Sequence, residues 1–414
     1  MGDLIAALDV GTSKVCAMIA EIEDEENLAI VGVGVVPSRG VRRGAVVNVQ
    51  EVTSAIAEAV AQAERAADAR VVNAYVSLSG AYVEAVPSRG VVTISSRPMR
   101  TVTQEEVRRA LENASAIALP PNRQVVQILP RSFKVDDQEG IREPLGMDGF
   151  RLEVDALVIT ASTVAVQNLV KCVRANGIEI TELVLQGLAS GLAVLTPEEQ
   201  ELGVAVMDIG GGTTDVALFL EGGLWHVAAT PVAGHHLTQD VAIGLRMPLS
   251  AAEDLKVRYG HVQPQWVSID ETVTIGGFGS GERRTISRHL LAQILEARAE
   301  EILDMVWKEV KASGYDGLLP AGVVMTGGSA QLAGFRDLAR ERLQVPVRVG
   351  TLPQWQGLSP EWCSPAFATV VGLLKWGMRQ SVMGLSFVHS GGKAGTVGWR
   401  SRLSEWLKRL LPEG

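Results

Sequence analysis

Two short stretches of this chain combine an acid, glycines and hydroxyl side chains in an order that suits phosphate binding. Clustered backbone N–H groups in a glycine-rich turn form an anion-binding concavity, to which hydroxyl and lysine side chains can add hydrogen bonds. The candidate residues are Asp9, Gly11, Thr12, Ser13 and Lys14 in the first stretch, and Asp208, Gly210, Gly211, Gly212, Thr213 and Thr214 in the second. Each acid lies at the end of an apolar run, so we expect Asp9 and Asp208 to hold Mg²⁺ through water.

A third apolar run, Val323–Met325, leads through Thr326 into the paired glycines Gly327 and Gly328. Any one of these turns by itself is also compatible with an ordinary tight turn. Two Asp-Gly-Thr hairpins followed by a late Gly-Gly loop resemble the two phosphate motifs and the adenosine motif of the actin and sugar-kinase ATPase superfamily. The resemblance implies that ATP binds between two similar halves. The Walker loop and the Rossmann glycine fingerprint are both absent.

Four more residues are candidates for this site. Gln186 opens a helix of small residues, where it could orient an attacking water or could simply be a polar residue at a helix end; we assign it, with Asp208, a tentative catalytic role. Gly234 begins another helix, and Glu253 and Lys256 share one helical face three residues apart, either to bind the nucleoside or to form a surface salt bridge. The adjacent His235 and His236 lack further ligands at metal-binding spacing.

These residues require strands and helices that place them together. Apolar runs predict an antiparallel meander at 5–9, 15–22 and 28–36 around the first Asp-Gly turn, and a similar meander through 216–219 and 224–230 around the second. Such repetition indicates duplicated halves. Two small-residue helices, at 187–193 and 364–372, are expected to connect the halves, because small residues let helices approach closely and shear past each other.

An insertion from about residue 80 to 160 interrupts the first half. It contains a strand-like segment at 90–94, a helix that starts at Thr103 with Glu106 as its capping partner, and two strands at 124–129 and 151–158. This small α+β module carries no chemical constellation. It is expected either to contact another chain or to be merely structural.

Composition narrows the functional classes. The 414 residues suggest more than one domain, and the net charge of −9 argues against a general nucleic-acid binder. Three separated cysteines, Cys16, Cys172 and Cys363, have neither metal-site spacing nor a complete disulfide set, which favours a reducing cytoplasm. No secretory signal and no apolar run long enough to cross a bilayer is evident.

The C-terminal stretch has a different character. A glycine-rich linker at 385–396 is followed by residues 397–414, whose apolar side chains repeat on one helical face and are flanked by basic residues. This pattern is typical of an interfacial membrane helix, although packing on the body or in a partner groove is the alternative. The candidate membrane-binding residues are Trp399, Arg400, Leu403, Trp406, Leu407, Lys408, Arg409 and Leu410.

Over essentially its whole length the chain resembles the FtsA family of bacterial cell-division proteins. The resemblance is carried by 8–14, Ser79-Gly80 with 88–90, 185–195, 207–215, 234–242, 252–260, 326–331 and the tail. It implies an actin-like α/β fold with two similar halves, a nucleotide cleft between them and a small module, called 1C, inserted in the first half. It also implies that the usual actin 1B subdomain is missing, which fits the short loop before residue 48.

The subdomains expected from this likeness are 1A (1–79, 161–189 and 363–384), 1C (80–160), 2A (190–230 and 290–362) and 2B (231–289). In this family 2B is the docking surface for the C-terminal peptide of the tubulin-like protein FtsZ. Arg283, Arg284 and Arg288 are candidates for that contact, as exposed cations facing an acidic peptide.

The expected function is an ATP- and Mg²⁺-binding scaffold that polymerises, tethers FtsZ filaments to the cytoplasmic face of the plasma membrane at the division site, and recruits later division proteins. The start of the connecting helix, Gln186-Gly187, departs from the Glu-Pro of DnaK-type chaperones, so any hydrolysis is expected to be slow. A pilus-assembly actin-like adaptor and a kinase of the same superfamily are the alternatives.

Overall fold

The computed structural model describes residues 4–24, 27–95, 99–276 and 283–383. In chain order its strands are β1 (Leu4–Val10), β2 (Lys14–Ile22), β3 (Leu28–Pro37), β4 (Val41–Arg42), β5 (Ala45–Val46), β6 (Asn73–Leu78), β7 (Val83–Thr93), β8 (Arg100–Thr101), β9 (Arg123–Val135), β10 (Gln138–Ile141), β11 (Asp148–Gly149), β12 (Arg151–Ser162), β13 (Glu179–Leu185), β14 (Val204–Ile209), β15 (Thr214–Leu220), β16 (Gly223–Thr230), β17 (Thr272–Gly276), β18 (Arg283–Ser287), β19 (Val323–Thr326) and β20 (Val347–Val349). The α-helices are α1 (Val49–Ala67), α2 (Gln104–Ser115), α3 (Thr163–Arg174), α4 (Gln186–Val194), α5 (Pro197–Leu202), α6 (Gly234–Gly244), α7 (Leu249–Tyr259), α8 (Arg288–Ala312), α9 (Phe335–Leu343) and α10 (Ala368–Met383).

Two five-stranded sheets with the same topology form the two halves. The first has the order β13-β6-β1-β2-β3 and the second the order β20-β19-β14-β15-β16. In each sheet the first three strands in the chain pair antiparallel, and the two later strands join parallel. The expected two similar halves are confirmed.

Helix α1 illustrates how local sequence and packing cooperate. The side chain of Asn48 accepts hydrogen bonds from the N–H groups of Gln50 and Glu51, which caps the helix and stabilises it by about 1 kcal/mol. Its apolar face is buried on the first sheet. A side chain at Gly32 or Gly34 of β3 would collide with the α1 backbone, so these glycines set the distance between helix and sheet.

The inserted module builds a sheet of order β10-β9-β12-β7 and has its own hydrophobic core beneath α2. The segment expected as a strand at 90–94 is only the end of β7, which pairs with β12 along its length. Pro87 lies within β7, where sequence rules oppose a strand. It is accommodated because β7 is at the edge of the sheet.

Helices α4 and α10 pack against each other between the halves, as expected. A side chain at Gly372 of α10 would overlap the backbone of Ala189 in α4. Helix α10 extends beyond the predicted end at residue 372, because Leu373, Leu374 and Met378 continue its buried face.

The expected linker at 385–396 and amphipathic helix at 397–414 lie outside the described residues. Across the parts of the chain that are described, no helix combines the length and the apolar character needed to span a membrane.

Candidate functional site

The two Asp-Gly turns meet between the halves. Each turn is closed in the same way, since the N–H of Gly11 donates to the carbonyl of Lys14 and the N–H of Gly210 to that of Thr213, both at 3.0 Å. A side chain at Gly211 would strike Ser13, and one at Gly212 would strike Thr12. The glycines of the second loop are therefore needed for its close approach to the first loop.

Three buried acids surround these loops. Asp9 accepts a hydrogen bond from Ser77 at 2.7 Å, and Asp215 accepts one from Ser79, also at 2.7 Å. Asp208 accepts hydrogen bonds from Thr369 at 3.2 Å and from Gln186. Burial, together with the charges of neighbouring acids, raises the pKa of Asp208 to about 6 and that of Asp215 to about 7.

This arrangement fits a magnesium ion that is held through water. Burial also raises the pKa of Asp9, although Lys14 and Ser77 oppose that effect. A bound cation would favour the ionised form of such acids. In the described ranges, no group of three or more His, Cys, Asp or Glu side chains is arranged to ligate a metal directly. Mg²⁺ commonly keeps several waters and needs few protein ligands, so Asp9 and Asp208 suffice for the expected role.

Gln186 lies beside the phosphate loops. It is the first residue of α4 and lines a small cavity together with Gly11, Thr12, Ser79 and Thr213. The structure therefore brings this residue to Asp208 and to both loops. Its role in orienting a water stays a prediction.

Lys14 contacts the turn that leads into α10. Its ammonium donates a hydrogen bond to the carbonyl of Ala366 and lies 4.6 Å from the centre of the Phe367 ring, at the distance of a cation–π contact. The same turn accepts hydrogen bonds from Thr326 and from the N–H of Gly327 through the carbonyl of Pro365. One short segment thus joins the first phosphate loop to the expected adenosine loop.

The residues expected on the adenosine side lie next to the second phosphate loop. The N–H of Gly234 and the hydroxyl of Ser329 both donate to the carbonyl of Gly210, at 3.1 and 3.0 Å. Gly327 has a left-handed backbone with φ of 84°, and a side chain there would meet the Asp208 carboxylate. Gly327 is therefore fixed as glycine by both its conformation and its surroundings, and Gly328 begins the short helical turn that follows.

Lys256 is buried and hydrogen-bonded within the protein. Its ammonium donates to the carbonyl of Gly234, to the hydroxyl of Thr238 and to the carboxylate of Glu253, at 3.3, 2.9 and 2.8 Å. A lysine has three donors, and all three are used within the protein here. Lys256 consequently ties α7 to the start of α6, and nucleoside contact by Glu253 and Lys256 stays a prediction.

The arginines expected to form an exposed cluster, Arg283, Arg284 and Arg288, are not all exposed. Arg288 forms an ion pair with Glu271 at 2.7 Å and donates to the carbonyl of Tyr259 at 2.8 Å. Arg284 is half-buried, and the side chain of Arg283 lies outside the described part of the chain. Arg288 is half-buried, so the expectation that it is an exposed cation is wrong.

Sequence reasoning missed four residues of this site. Ser77 and Ser79 follow from the parallel pairing of β6 with β1, which brings the end of β6 to the first loop. Asp215 ends the stretch 207–215, where its residue type alone indicates no role. The adjacent pair His235 and His236 suggests only a metal site, yet the Nε2 of His235 lies 3.3 Å from the Ser13 hydroxyl, across the two halves.

Comparison with known proteins agrees with this geometry. The family model "Cell division protein FtsA" matches residues 205–372, and the model "SHS2 domain inserted in FTSA" matches residues 80–160. The cell division protein FtsA of Pseudomonas aeruginosa is 39% identical over 410 residues, covering 99% of this chain and 98% of its own length.

Two solved structures share the fold at low sequence identity. A chain of the PilM–PilN type IV pilus biogenesis complex has a TM-score of 0.63 and 18% identity, covering 90% of this chain and 98% of its own. MreB5 of Spiroplasma citri bound to AMPPNP has a TM-score of 0.53 and 15% identity, covering 93% of this chain and 100% of its own.

The paired sheets, the facing Asp-Gly loops and these structural neighbours define a protein of the actin-like ATPase fold, with a small module inserted in its first half. Within this fold, the family follows from the 39% identity to the Pseudomonas aeruginosa FtsA over nearly the full length of both chains. The chain belongs to the FtsA family of bacterial cell-division proteins.

Proposed function

We propose that this chain binds ATP with Mg²⁺ between its two halves. The observation that carries the proposal is the contact of two Asp-Gly loops, one from each half, above three buried acids. The loops supply backbone donors for phosphates, and Asp9 and Asp208 would hold the ion through water. ATP supplies the phosphates that join the loops, while Gln186 is placed to orient a water beside them. The AMPPNP bound to MreB5 supports a nucleotide as the ligand of this fold.

A substitution in the second loop tests this proposal. Gly211→Val places a side chain against Ser13 and should abolish ATP binding, as should Asp208→Ala. Gly317→Val is a matched control, because Gly317 has open space around it and lies far along the chain from both loops. Calorimetric ATP affinity that is unchanged in both loop variants would remove the proposal.

We further propose that the nucleotide-bound chain acts mainly as a scaffold. It assembles head to tail, tethers FtsZ filaments to the cytoplasmic face of the plasma membrane at the division site, and recruits later division proteins. Membership of the FtsA family supports this role, and the departure at Gln186-Gly187 supports slow turnover. The module at 80–160 is the proposed contact to the next subunit, since an asymmetric contact that does not close propagates a filament. Deleting it should stop filament formation on lipid, as seen by electron microscopy.

The FtsZ peptide is proposed to dock on subdomain 2B through apolar side chains. Six large apolar residues are exposed in the described part of 231–289: Ile243, Leu249, Val257, Tyr259, Trp266 and Ile269. Their concentration in one subdomain supports an apolar docking surface there, whereas Arg288 is already paired.

The affinity for the FtsZ peptide, measured in two sets of variants, separates the contribution of the apolar residues from that of the arginines. Trp266→Ala combined with Ile269→Ala should weaken the FtsZ peptide more than charge reversal at Arg283, Arg284 and Arg288. Val164→Ala, at an exposed apolar residue of the first half, is the control. Unchanged peptide affinity in both the apolar and the arginine variants would exclude this surface.

The membrane anchor is proposed to be the helix at 397–414. Burying its apolar face in lipid contributes up to about 1.5–3 kcal/mol per fully buried side chain, reduced by partial immersion and by ordering of the helix. Each nearby basic residue adds about 1 kcal/mol at an anionic surface. Single tails should therefore bind reversibly, and polymers firmly through avidity.

Vesicle flotation tests the anchor. Trp406→Glu places a charge on the apolar face and should release the protein from anionic vesicles without changing ATP binding. Ser404→Glu makes the same charge change off that face and is the control. If the Trp406→Glu protein floats as well as the unmodified chain, the tail is not the anchor. A pilus-assembly adaptor, the second candidate suggested by fold likeness, would need no such tail.

A further inference from the structure

A contact between two bulged strands joins the inserted module to the second half. In β9 of the module the pairing with β12 skips Arg131, and in β16 of the second sheet the pairing with β15 skips Trp225. A β-bulge leaves its extra residue outside the regular pleat and often re-aims that side chain. The two bulges bring Arg131 and Trp225 together, although 94 residues separate them in the chain.

Arg131 contacts the second half through polar and aromatic interactions. Its guanidinium donates a hydrogen bond to the carbonyl of Trp225, and its Cζ lies 5.3 Å from the centre of the Trp225 ring, at the distance of a cation–π contact. The ring of Trp225 in turn packs edge-on against that of Tyr315, with 5.6 Å between the ring centres. We call Arg131, Trp225 and Tyr315 the latch; all three side chains are half-buried.

The polar atoms of the latch are incompletely satisfied. Among the described residues, Arg131 Nε and Trp225 Nε1 are shielded from solvent and have no hydrogen-bond partner within the protein. A shielded polar atom without a partner forfeits its hydrogen bonds to water, which costs free energy. Separation of Arg131 from Trp225 would allow both groups to bind water, so this cost partly offsets the contacts that keep the latch closed.

The same strand of the module contacts the first half through a buried polar cluster. Glu182 of β13 accepts hydrogen bonds from Gln127 Nε2 of β9 and from Trp376 Nε1 of α10, both at 2.8 Å. These three residues, the Glu182 cluster, are 5%, 1% and 8% exposed, and both carboxylate oxygens have a donor. Opening this contact requires the core around it to open, whereas the latch lies at a half-buried rim.

We propose that the latch opens while the Glu182 cluster stays closed, so that the inserted module leaves the second half and remains fixed to the first. The module is then a strap across the two halves. A closed latch resists rotation of the second half, because Trp225 is held by a strand that the Glu182 cluster fixes to the first half. An open latch removes this restraint on the shear of helices α4 and α10.

Cysteine labelling of the ligand-free chain measures the two contacts separately. Val227→Cys places a thiol in β16, where Val227 is buried and borders the same cavity as Val83 of β7. The natural Cys172 is buried in a core that includes Val126 of β9, so its labelling reports on the contact of the module with the first half. A Cys363→Ser background removes a partly exposed thiol.

Substitution of Arg131 tests the latch. Arg131→Met keeps an unbranched apolar side chain but removes the guanidinium, which leaves the Trp225 carbonyl without its donor. Labelling of Val227→Cys should become about 10-fold faster or more, the range expected for loss of a hydrogen bond from a charged group. Labelling of Cys172 should change less than about 2-fold. Arg131→Lys keeps a charged donor and should restore part of the protection.

Arg142 supplies a matched control. It also lies in the module and pairs with Glu201 of the second half at 2.6 Å, but both side chains are more than half exposed. Exposed ion pairs contribute little to stability, so Arg142→Met should change the labelling of either thiol less than about 2-fold.

Two results would overturn the inference. Equal labelling of Val227→Cys in the Arg131→Met and Arg142→Met variants would show that Arg131 does not hold the module. A parallel rise at Val227→Cys and Cys172 would show that the whole chain loosens rather than the latch. If Val227→Cys disturbs folding, peptide-level hydrogen exchange gives the same comparison: Arg131→Met should speed exchange in β16 alone, and an equal change in β13 contradicts the latch. Because no ligand is present, the result does not depend on the proposed ATP binding.

Discussion

The two phosphate loops occupy corresponding places in the two halves, but their acids have different surroundings. Burial raises the pKa of Asp9 in the first half, while the charge of Lys14 and a hydrogen bond from Ser77 oppose that effect. In the second half, burial raises the pKa values of Asp208 and Asp215, and the negative charge of a neighbouring acid contributes to the increase of each. Among the described residues, the hydrogen-bond partners of these two acids are hydroxyls and an amide rather than cations.

The two halves therefore share a topology but differ in the charges that surround their loops. The first loop carries its own cation, whereas a bound ion would supply one to the second loop. Because a cation is missing on one side only, Mg²⁺ should be drawn toward Asp208 more strongly than toward Asp9. The cation differs at one corresponding position, since the second loop has Thr213 where the first has Lys14.

The largest expected effect is that of removing Mg²⁺. Without the ion, ATP phosphates would approach uncompensated acids, and the affinity should fall by about 100-fold, or about 2.7 kcal/mol. Calorimetry with and without a chelator measures this change. Asp208→Asn should reduce the dependence on Mg²⁺ more than Asp9→Asn. An equal reduction in the two variants would contradict the asymmetry.

The pH dependence of stability sharpens the comparison at Asp215. Its pKa is about 7 in the folded protein and near 4 when unfolded, so the folded state binds the proton more tightly. The free energy of unfolding should therefore fall as pH rises from about 4 to 7 and level off above that. Asp215→Asn should remove part of this decline and stabilise the ligand-free protein by up to about 4 kcal/mol at pH 8.

Denaturant unfolding at several pH values checks this prediction. Asp155→Asn, at an exposed acid of the inserted module that pairs with Arg89, is the control and should not flatten the profile. A profile in Asp215→Asn as steep as that of the unmodified chain would show that the acid is not destabilised by burial.

Removing the cation of the first loop should make that loop resemble the second. Lys14→Met deletes the charge near Asp9 and the contacts with Ala366 and Phe367, and should lower stability by about 1–2 kcal/mol. Affinity for ATP should fall about 10-fold. Lys14→Arg keeps the charge and is the matched control. Thermal unfolding measures the stability and calorimetry the ATP affinity. Equal values in the Lys14→Met and Lys14→Arg variants would contradict the comparison.

The smallest expected effect concerns the helices that follow the two meanders. Asn48 caps α1 with two hydrogen bonds, whereas α6 begins after Ala233, whose N–H is bound only by the His236 ring nitrogen. Asn48→Ala should cost about 1 kcal/mol, and His236→Ala about 0.5 kcal/mol. Chemical denaturation gives both values, and a larger loss in His236→Ala would reverse the assignment of the stronger cap.

Much of the fold could be predicted because its signals are local. The Asp-Gly turns, the alternating strands around them, the Asn48 cap and the small-residue helices each depend on neighbours in the chain. The extent of β7 could not be predicted, because Pro87 is tolerated only at a sheet edge and edge position depends on the pairing of distant strands.

The sequence by itself determined which residues turn the backbone at the two loops, where the halves begin to repeat, and which residues are candidates for phosphate binding. Only the tertiary structure decided that Ser79 meets Asp215, that His235 faces Ser13, that Lys256 is buried and that Arg288 is paired. Burial and long-range contacts set these outcomes. They arise between residues far apart in the chain, so no local pattern encodes them.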